Sequence, residues 1–288
     1  GGTKFVCALG DGLGQIVGFA RFRTTTPEET LGRAVRFFES HAAGRPVALG
    51  MGSFGPVDLD LESATYGRLL KTPKPGWSGA DVVTPLADAL GVPVALEHDV
   101  VMAAIGEHRL GAGRGSSPLL YLTIGTGIGG GLLIDGQPYH GLLHPEMGHI
   151  TVPRAEGDTF AGACPYHGDC LEGLASGPAI AARTGVDPET LADDDPVWAL
   201  VGQYLGAGIA SLALTLSPAR IVVGGGVTAR KGLCDRIRAE TERHLAGYLT
   251  HPLLSAGLEH YIVPPGLGSR AGVLGAMALA RDLYLQTA

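Results

Sequence analysis

Long hydrophobic runs are absent from this 288-residue chain. No uninterrupted apolar stretch approaches the roughly 18 residues that a membrane-crossing helix needs. The longest candidates, 205–216 and 271–280, read as buried helices. A basic surplus is absent too, since 21 Lys and Arg stand against 28 Asp and Glu, a formal net charge of −7. Nucleic-acid binding needs a basic face to neutralise phosphates, so this balance argues against it. The N-terminus lacks a basic segment leading into an apolar core, and no secretory signal is expected. Cysteine is scarce, at four residues. Cys7 and Cys234 lie in apolar strand-like or helical surroundings that suit buried free thiols better than a disulfide. Together these absences point to a reducing cytoplasm.

What is present describes an ordinary soluble protein with ample core: 45% hydrophobic and 17% charged residues. The length suggests about two domains. Glycine is abundant, at 46 residues, but gathers in short loops without a three-residue period, which excludes collagen. Strand-like segments Phe5–Leu9 and Ile16–Arg23 flank a Gly-Asp-Gly turn, a hairpin signal. Thr26-Pro27-Glu28-Glu29 opens a helix with a cap, a proline and first-turn acids. Short strands are expected over Pro46–Met51 and Val92–Leu96, and a helix over Val100–His108. A strand pair over Leu119–Ile124 and Gly129–Ile134 follows, then a helix over Leu200–Leu216, a strand over Arg220–Val223, and helices over Gly232–Leu249 and Ala271–Leu285. This alternation places the chain in the α/β class, with a domain boundary expected near Gly111–Pro118.

Two of the four cysteines belong to the most informative pattern. His149, Cys164, His167 and Cys170 read H-x14-C-x2-H-x2-C. Two thiols and two imidazoles are a complete tetrahedral ligand set for zinc, with no position left for water. A closed site of this kind builds structure rather than activating water. Glu146 and Glu172 flank it, so the metal would shape a loop that presents acids to a polar ligand. The plain alternative is a chance grouping of free thiols and surface imidazoles.

Three further features carry chemistry. The run Gly125-Thr126-Gly127-Ile128-Gly129-Gly130-Gly131 lies between two strands. Its backbone N–H groups suit a phosphate, or it is simply a glycine-rich hairpin. It is neither a Walker loop nor a dinucleotide fingerprint, because no Gly-Lys-Ser/Thr follows and the next element is a strand. Gly224-Gly225-Gly226 follows a strand end, the usual place for a ligand in an α/β sheet, or forms a tight turn. Asp99 ends a strand and begins a helix, where it either caps that helix or projects as a general base. Spacing alone favours the cap.

Taken together, the motifs resemble the ROK family of sugar kinases across essentially the whole chain. Gly1-Gly2-Thr3-Lys4, Gly52-Ser53-Phe54-Gly55-Pro56-Val57-Asp58 and His98-Asp99 carry the resemblance in the first half. The 125–131 glycine run, Pro145-Glu146-Met147-Gly148-His149 and Gly224-Gly225-Gly226-Val227 carry it in the second. Within the family, the stretch Cys164–Ala179 and Lys71-Thr72-Pro73-Lys74-Pro75-Gly76-Trp77 look most like the bacterial zinc-containing fructokinases.

The resemblance implies an actin-like (ribonuclease H-like) fold of two α/β domains, with ATP and sugar in a cleft between them. It implies an N-terminal domain over 1–115 onto which a C-terminal helix at about 271–288 packs, and a domain over 116–270 with the zinc loop. Asp99 matches the catalytic base, which takes a proton from a sugar hydroxyl as it attacks the γ-phosphorus of ATP. Gly52, Ser53, His98, Glu146, His149 and Glu172 match sugar-side positions. Gly2, Thr3, Lys4, Thr126 and Gly127 match phosphate loops, and Pro178, Gly224, Gly225 and Gly226 the nucleotide side. Structural zinc, magnesium with ATP, and a homodimer are also implied.

Two departures stand out. Relatives carry a strand and an acid ahead of Gly-Gly-Thr, so that first strand is expected to be missing from residues 1–288. Val101 stands where relatives usually have Asn. The implied reaction is phosphorylation of D-fructose to fructose 6-phosphate. The alternatives are a kinase for mannose, glucose or an N-acyl hexosamine, and a catalytically weak sugar-binding protein. The family's sugar-sensing repressors carry an added DNA-binding module, which the acidic balance disfavours.

Overall fold

The computed structural model describes residues 2–42, 44–255 and 257–287. Gly1 of the Gly-Gly-Thr-Lys motif lies outside the described residues. In chain order the elements are β1 (Lys4–Gly10), β2 (Ile16–Arg23), α1 (Pro27–Ser40), β3 (Leu49–Ser53), α2 (Thr84–Leu90), β4 (Val94–His98), α3 (Asp99–Leu110), β5 (Leu119–Ile124), β6 (Ile128–Ile134) and β7 (Gln137–Pro138). There follow α4 (Leu171–Ala175), α5 (Gly177–Thr184), α6 (Val197–Leu216), β8 (Arg220–Gly224), α7 (Leu233–Leu245), α8 (Pro252–Ser255), β9 (Ile262–Val263) and α9 (Ala271–Thr287). They form two compact units, Gly1–Arg114 with Ser269–Ala288, and Gly115–Gly268.

In the first unit, β1 and β2 form an antiparallel hairpin. Asp11 closes it, its Oδ1 accepting the N–H groups of Leu13 at 2.8 Å and Gln15 at 3.1 Å. Thr26 caps α1 by accepting from the Glu29 N–H, and Pro27 supplies a first-turn φ already suited to a helix. The buried face of α1, with Leu31, Ala34 and Phe38, joins Met51, Trp77, Leu86 and Leu96 in one core. Strands β3 and β4 pair in parallel, with Gly52 opposite Glu97 and Ser53 opposite His98. Helix α9 returns to pack on α3 and β3. Among the described residues the two strand pairs are separate sheets. Lys4–Gly12, Pro46–Gly52, Asp99 and part of α9 line a cavity of about 530 Å³.

The second unit has one five-stranded sheet in the order β7-β6-β5-β8-β9. Strand β5 is antiparallel to β6 and parallel to β8. Its near-continuous apolar run fits a strand covered on both faces. Helix α6 is long and apolar enough, by length and composition, to cross a membrane. Trp198, Tyr204, Leu205 and Ile209 bury most of it in this unit's core, where β5 and β8 also lie.

The structure corrects several boundaries. The strands expected at 46–51 and 92–96 run instead over Leu49–Ser53 and Val94–His98. Pro46 and Pro93 have no N–H for a ladder, and pairing starts at Leu49 with Val94. Glu97 and His98 therefore lie in the strand. Helix α7 stops at Leu245, because Ala246 turns left-handed at φ 50° and its N–H goes to the Glu242 carbonyl. The strand expected from Gly129 begins one residue earlier, at Ile128, and 125–127 form the turn as expected.

Candidate functional site

Strand β4 runs directly into α3, and this junction positions Asp99. His98 is the N-cap residue, extended at φ −65° and ψ 145°, and α3 has no side-chain cap hydrogen bond. Asp99 is the first helical residue. The capping role that spacing favoured for Asp99 is therefore corrected. Parallel pairing sets buried Ser53 and His98 side by side, next to Gly52 and Glu97. Ser53 Oγ donates to the Phe54 carbonyl at 2.9 Å, and Glu97 accepts the His98 N–H at 2.7 Å.

The Phe54 ring packs edge-on to Trp77 at 5.3 Å, and Trp77 Nε1 donates to the Thr25 carbonyl at 2.7 Å. The 71–77 segment thereby anchors the loop after β3. Gly2 lies against the Phe54 ring. The Thr3 carbonyl accepts the Thr24 N–H at 3.1 Å. Lys4, Gly52 and Asp99 line the same cavity of the first unit. Val101 is fully buried, so it gives α3 packing and no hydrogen bond at that position.

In the second unit the four predicted metal ligands converge. One ligand atom from each of His149, Cys164, His167 and Cys170 lies within 4.8 Å of the others. His149 Nδ1 is 3.7 Å from Cys164 Sγ and 3.5 Å from Cys170 Sγ, and His167 Nδ1 is 3.7 Å from Cys164 Sγ. A tetrahedron with ordinary Zn–S and Zn–N bonds has S···N edges of roughly 3.6 Å. The donor set therefore fits zinc in chemistry and in spacing, with Nδ1 facing the sulfurs. The knuckle is closed by paired backbone bonds between Cys164 and Gly168 at 3.0 and 3.1 Å. Helix α4 begins right after Cys170 and presses on the knuckle. A side chain at Gly173 would meet the Gly168 carbonyl at 1.9 Å.

The two acids differ in their commitments. One oxygen of Glu172 accepts the Ile128 N–H at 2.9 Å, and the other lies 3.9 Å from His149 Nε2. Glu172 thus links the metal loop to the glycine turn. Glu146 is exposed and precedes the short turn Met147–His149. Its carboxyl pKa is held above the ordinary range, chiefly by loss of hydration around the carboxyl; His149 opposes this and Glu172 adds to it.

The glycine segments also meet. The Gly125 N–H bonds the Gly127 carbonyl at 2.9 Å, and the Gly177 N–H at the start of α5 bonds the Gly125 carbonyl at 2.8 Å. Gly225 sits at φ +100°, and any Cβ there would lie 2.2 Å from the Ile124 carbonyl, so only glycine fits. The carboxyl ends of parallel β5 and β8, the turn at Thr126 and Gly127, and the α5 start at Pro178 form one backbone-rich corner with Gly224, Gly225 and Gly226. That is where open α/β sheets hold ligands. Sequence reasoning quoted Ser176 and Gly177 within the family motif but gave them no role. Ser176 caps α5 by accepting the Ala179 N–H at 3.4 Å, and Ser-Gly-Pro was a readable start signal.

Comparison with known proteins identifies the chain's relatives. The profile of the ROK family matches residues 1–283. The fructokinase of Zymomonas mobilis subsp. mobilis is 44% identical over 286 residues, covering 97% of this chain and 94% of that protein. The fructokinase of Lactococcus lactis subsp. cremoris is 40% identical over 286 residues, covering 99% and 96%. A ROK family glucokinase from Streptomyces griseus, solved in complex with glucose and AMPPNP, superposes with a TM-score of 0.78 at 30% identity, covering 98% of this chain and 97% of that one.

Proposed function

The chain belongs to the ROK family, with its actin-like two-domain fold, and we propose that it transfers the γ-phosphoryl group of ATP to D-fructose, giving fructose 6-phosphate and ADP. One observation carries the choice of sugar: identity of 44% to a fructokinase across 97% of the chain. The geometry at Asp99 is compatible with the chemistry, since His98 rather than Asp99 holds the N-cap position.

In this reading Asp99 accepts the proton of the fructose 6-hydroxyl as that oxygen attacks the γ-phosphorus and ADP departs in line. Such reactions are accelerated mainly by positioning and charge neutralisation. Magnesium bound with ATP supplies part of that neutralisation. Gly52, Ser53, His98, Glu146, His149 and Glu172 orient the sugar. Gly2, Thr3, Lys4, Thr126 and Gly127 serve the phosphates, and Pro178 and Gly224–Gly226 the nucleoside side. His149, Cys164, His167 and Cys170 hold a zinc ion whose closed ligand set supplies structure. A cytoplasmic homodimer belongs to the same reading.

A glucose-preferring enzyme is the second reading, favoured by the glucose-bound relative at 30% identity. Coupled ADP-release assays with fructose, glucose and mannose separate the two. The first reading expects the highest kcat/KM with fructose, and a glucose preference would replace it with the second.

A further inference from the structure

The first leg of the metal loop, residues 151–162, pairs at its start with Cys170 through Thr151, but its middle, residues 154–160, is fixed by bonds that involve no metal ligand. Asp158 sits in it with a side chain only 7% exposed. Its Oδ1 accepts from Arg183 Nη1 at 2.6 Å, and its Oδ2 from Arg183 Nη2 at 3.0 Å, a bidentate pair. The Phe160 N–H adds a bond to Oδ1 at 3.1 Å, and the fully buried Tyr204 donates its hydroxyl to Oδ2. Tyr204 in turn accepts the Ala155 N–H at 3.2 Å.

Arg183 lies in α5 and Tyr204 in α6, so the leg is tied to two helices of the second unit. The Arg183 guanidinium stacks 4.4 Å over the Phe160 ring. Arg154 donates to the carbonyls of Asp158 at 2.9 Å and Phe160 at 2.6 Å. It also reaches Asp169, inside the knuckle, at 3.4 Å.

This cluster occupies the middle of the 14-residue spacer between His149 and Cys164. A free spacer would have to be ordered when metal binds, and that entropy cost would subtract from affinity. A spacer anchored at its centre leaves little to order.

We propose that Asp158 is a metal-independent latch: held by Arg183 and Tyr204, it keeps residues 151–162 in place, so that zinc closes a loop already positioned. Asp158 is a positioning residue and touches neither the metal nor the reacting atoms. The proposal rests on reading the four ligands as a zinc site. Zinc binding by the unmodified protein tests that reading alone, whereas the order of 151–162 without metal tests the latch.

The experiment uses the full chain, stripped by a chelator. Amide hydrogen exchange is read over 151–162 and 164–170, and zinc affinity is measured by competition with a chromophoric chelator. In the metal-free wild type, 151–162 stays protected while 164–170 exchanges freely. Asp158→Asn loses that protection and binds zinc about tenfold or more weakly. Tyr204→Phe keeps the ion pair and weakens zinc binding a few-fold, about the value of one hydrogen bond. Equal exchange of 151–162 and 164–170 in the metal-free wild type overturns the latch. So does a folded Asp158→Asn protein with unchanged zinc affinity. If Asp158→Asn does not fold, Tyr204→Phe decides, and unchanged affinity there overturns the proposal.

Discussion

Asp99 and Asp158 show how one side-chain type takes opposite roles by its partners. Asp99 starts α3 without being its cap residue. In the proposed reading, replacing it with Asn keeps the shape and removes the base. Asp99→Asn is expected to lower kcat by roughly 10²–10⁴-fold, the usual weight of a general base, with zinc content and thermal midpoint unchanged. Steady-state kinetics beside a melting curve check this.

Asp158 is committed fully. Arg183 beside it, then the Tyr204 hydroxyl and the Phe160 N–H, hold its carboxyl well below the usual carboxylate range, against a smaller upward push from burial. A depressed folded-state pKa means stability that is fully present above the unfolded value of about 3.9. It drains as pH falls through the lower folded value. Asp158→Asn is therefore expected to cost about 2–3 kcal/mol at neutral pH, since it leaves the half-buried Arg183 without its carboxylate partner. The gap to the wild type should narrow only below about pH 4. Denaturant titrations at neutral pH and near pH 3 measure it. The sequence singled out Asp99 but was silent on Asp158, whose partners lie 25 and 46 residues away.

Elements impose a different kind of requirement, the close approach of backbones. The corner formed by the ends of β5 and β8 depends on Gly225 at φ +100°. Gly225→Ala places a methyl against the Ile124 carbonyl and in a strained conformation, at a cost of at least about 1–2 kcal/mol. It is expected to raise the KM for ATP more than that for fructose, which initial-rate kinetics in both substrates would show. Equal effects on the two would move Gly225 out of the nucleotide corner.

The knuckle and α4 form a second such assembly, because Cys170 leads straight into the helix that carries Glu172. Zinc removal is expected to raise the KM for fructose by tenfold or so, in line with losing an ordered shell around binding groups. Readdition of zinc should restore it. Much of this scale was legible. The Thr26 cap and the Asp11 turn act over a few residues, and the metal pattern falls in one continuous stretch, His149–Cys170. The shift of β3 and β4 was less so, because their pairing start depends on Pro46 and Pro93 in two distant segments. The bond from Glu172 to Ile128 spans 44 residues and left no local pattern.

At the scale of the whole molecule, alternating strands and helices indicated an α/β protein, and the family's two-domain fold agrees. The glycine loops and the knuckle were legible as motifs. What they build was not, since Gly125, Gly177 and Gly225 meet only through the packing of β5, β8 and α5. In the proposed reading the choice among hexoses depends on the placement of His98, Glu146 and Glu172 around hydroxyl groups, which no spacing encodes. The central claim is therefore tested most directly by ADP release from Mg·ATP with fructose as acceptor, in wild type and Asp99→Asn side by side. The account predicts rapid, fructose-dependent release by the wild type and near loss of it in the folded variant. Turnover unchanged by the substitution, or no fructose-dependent release at all, would contradict it.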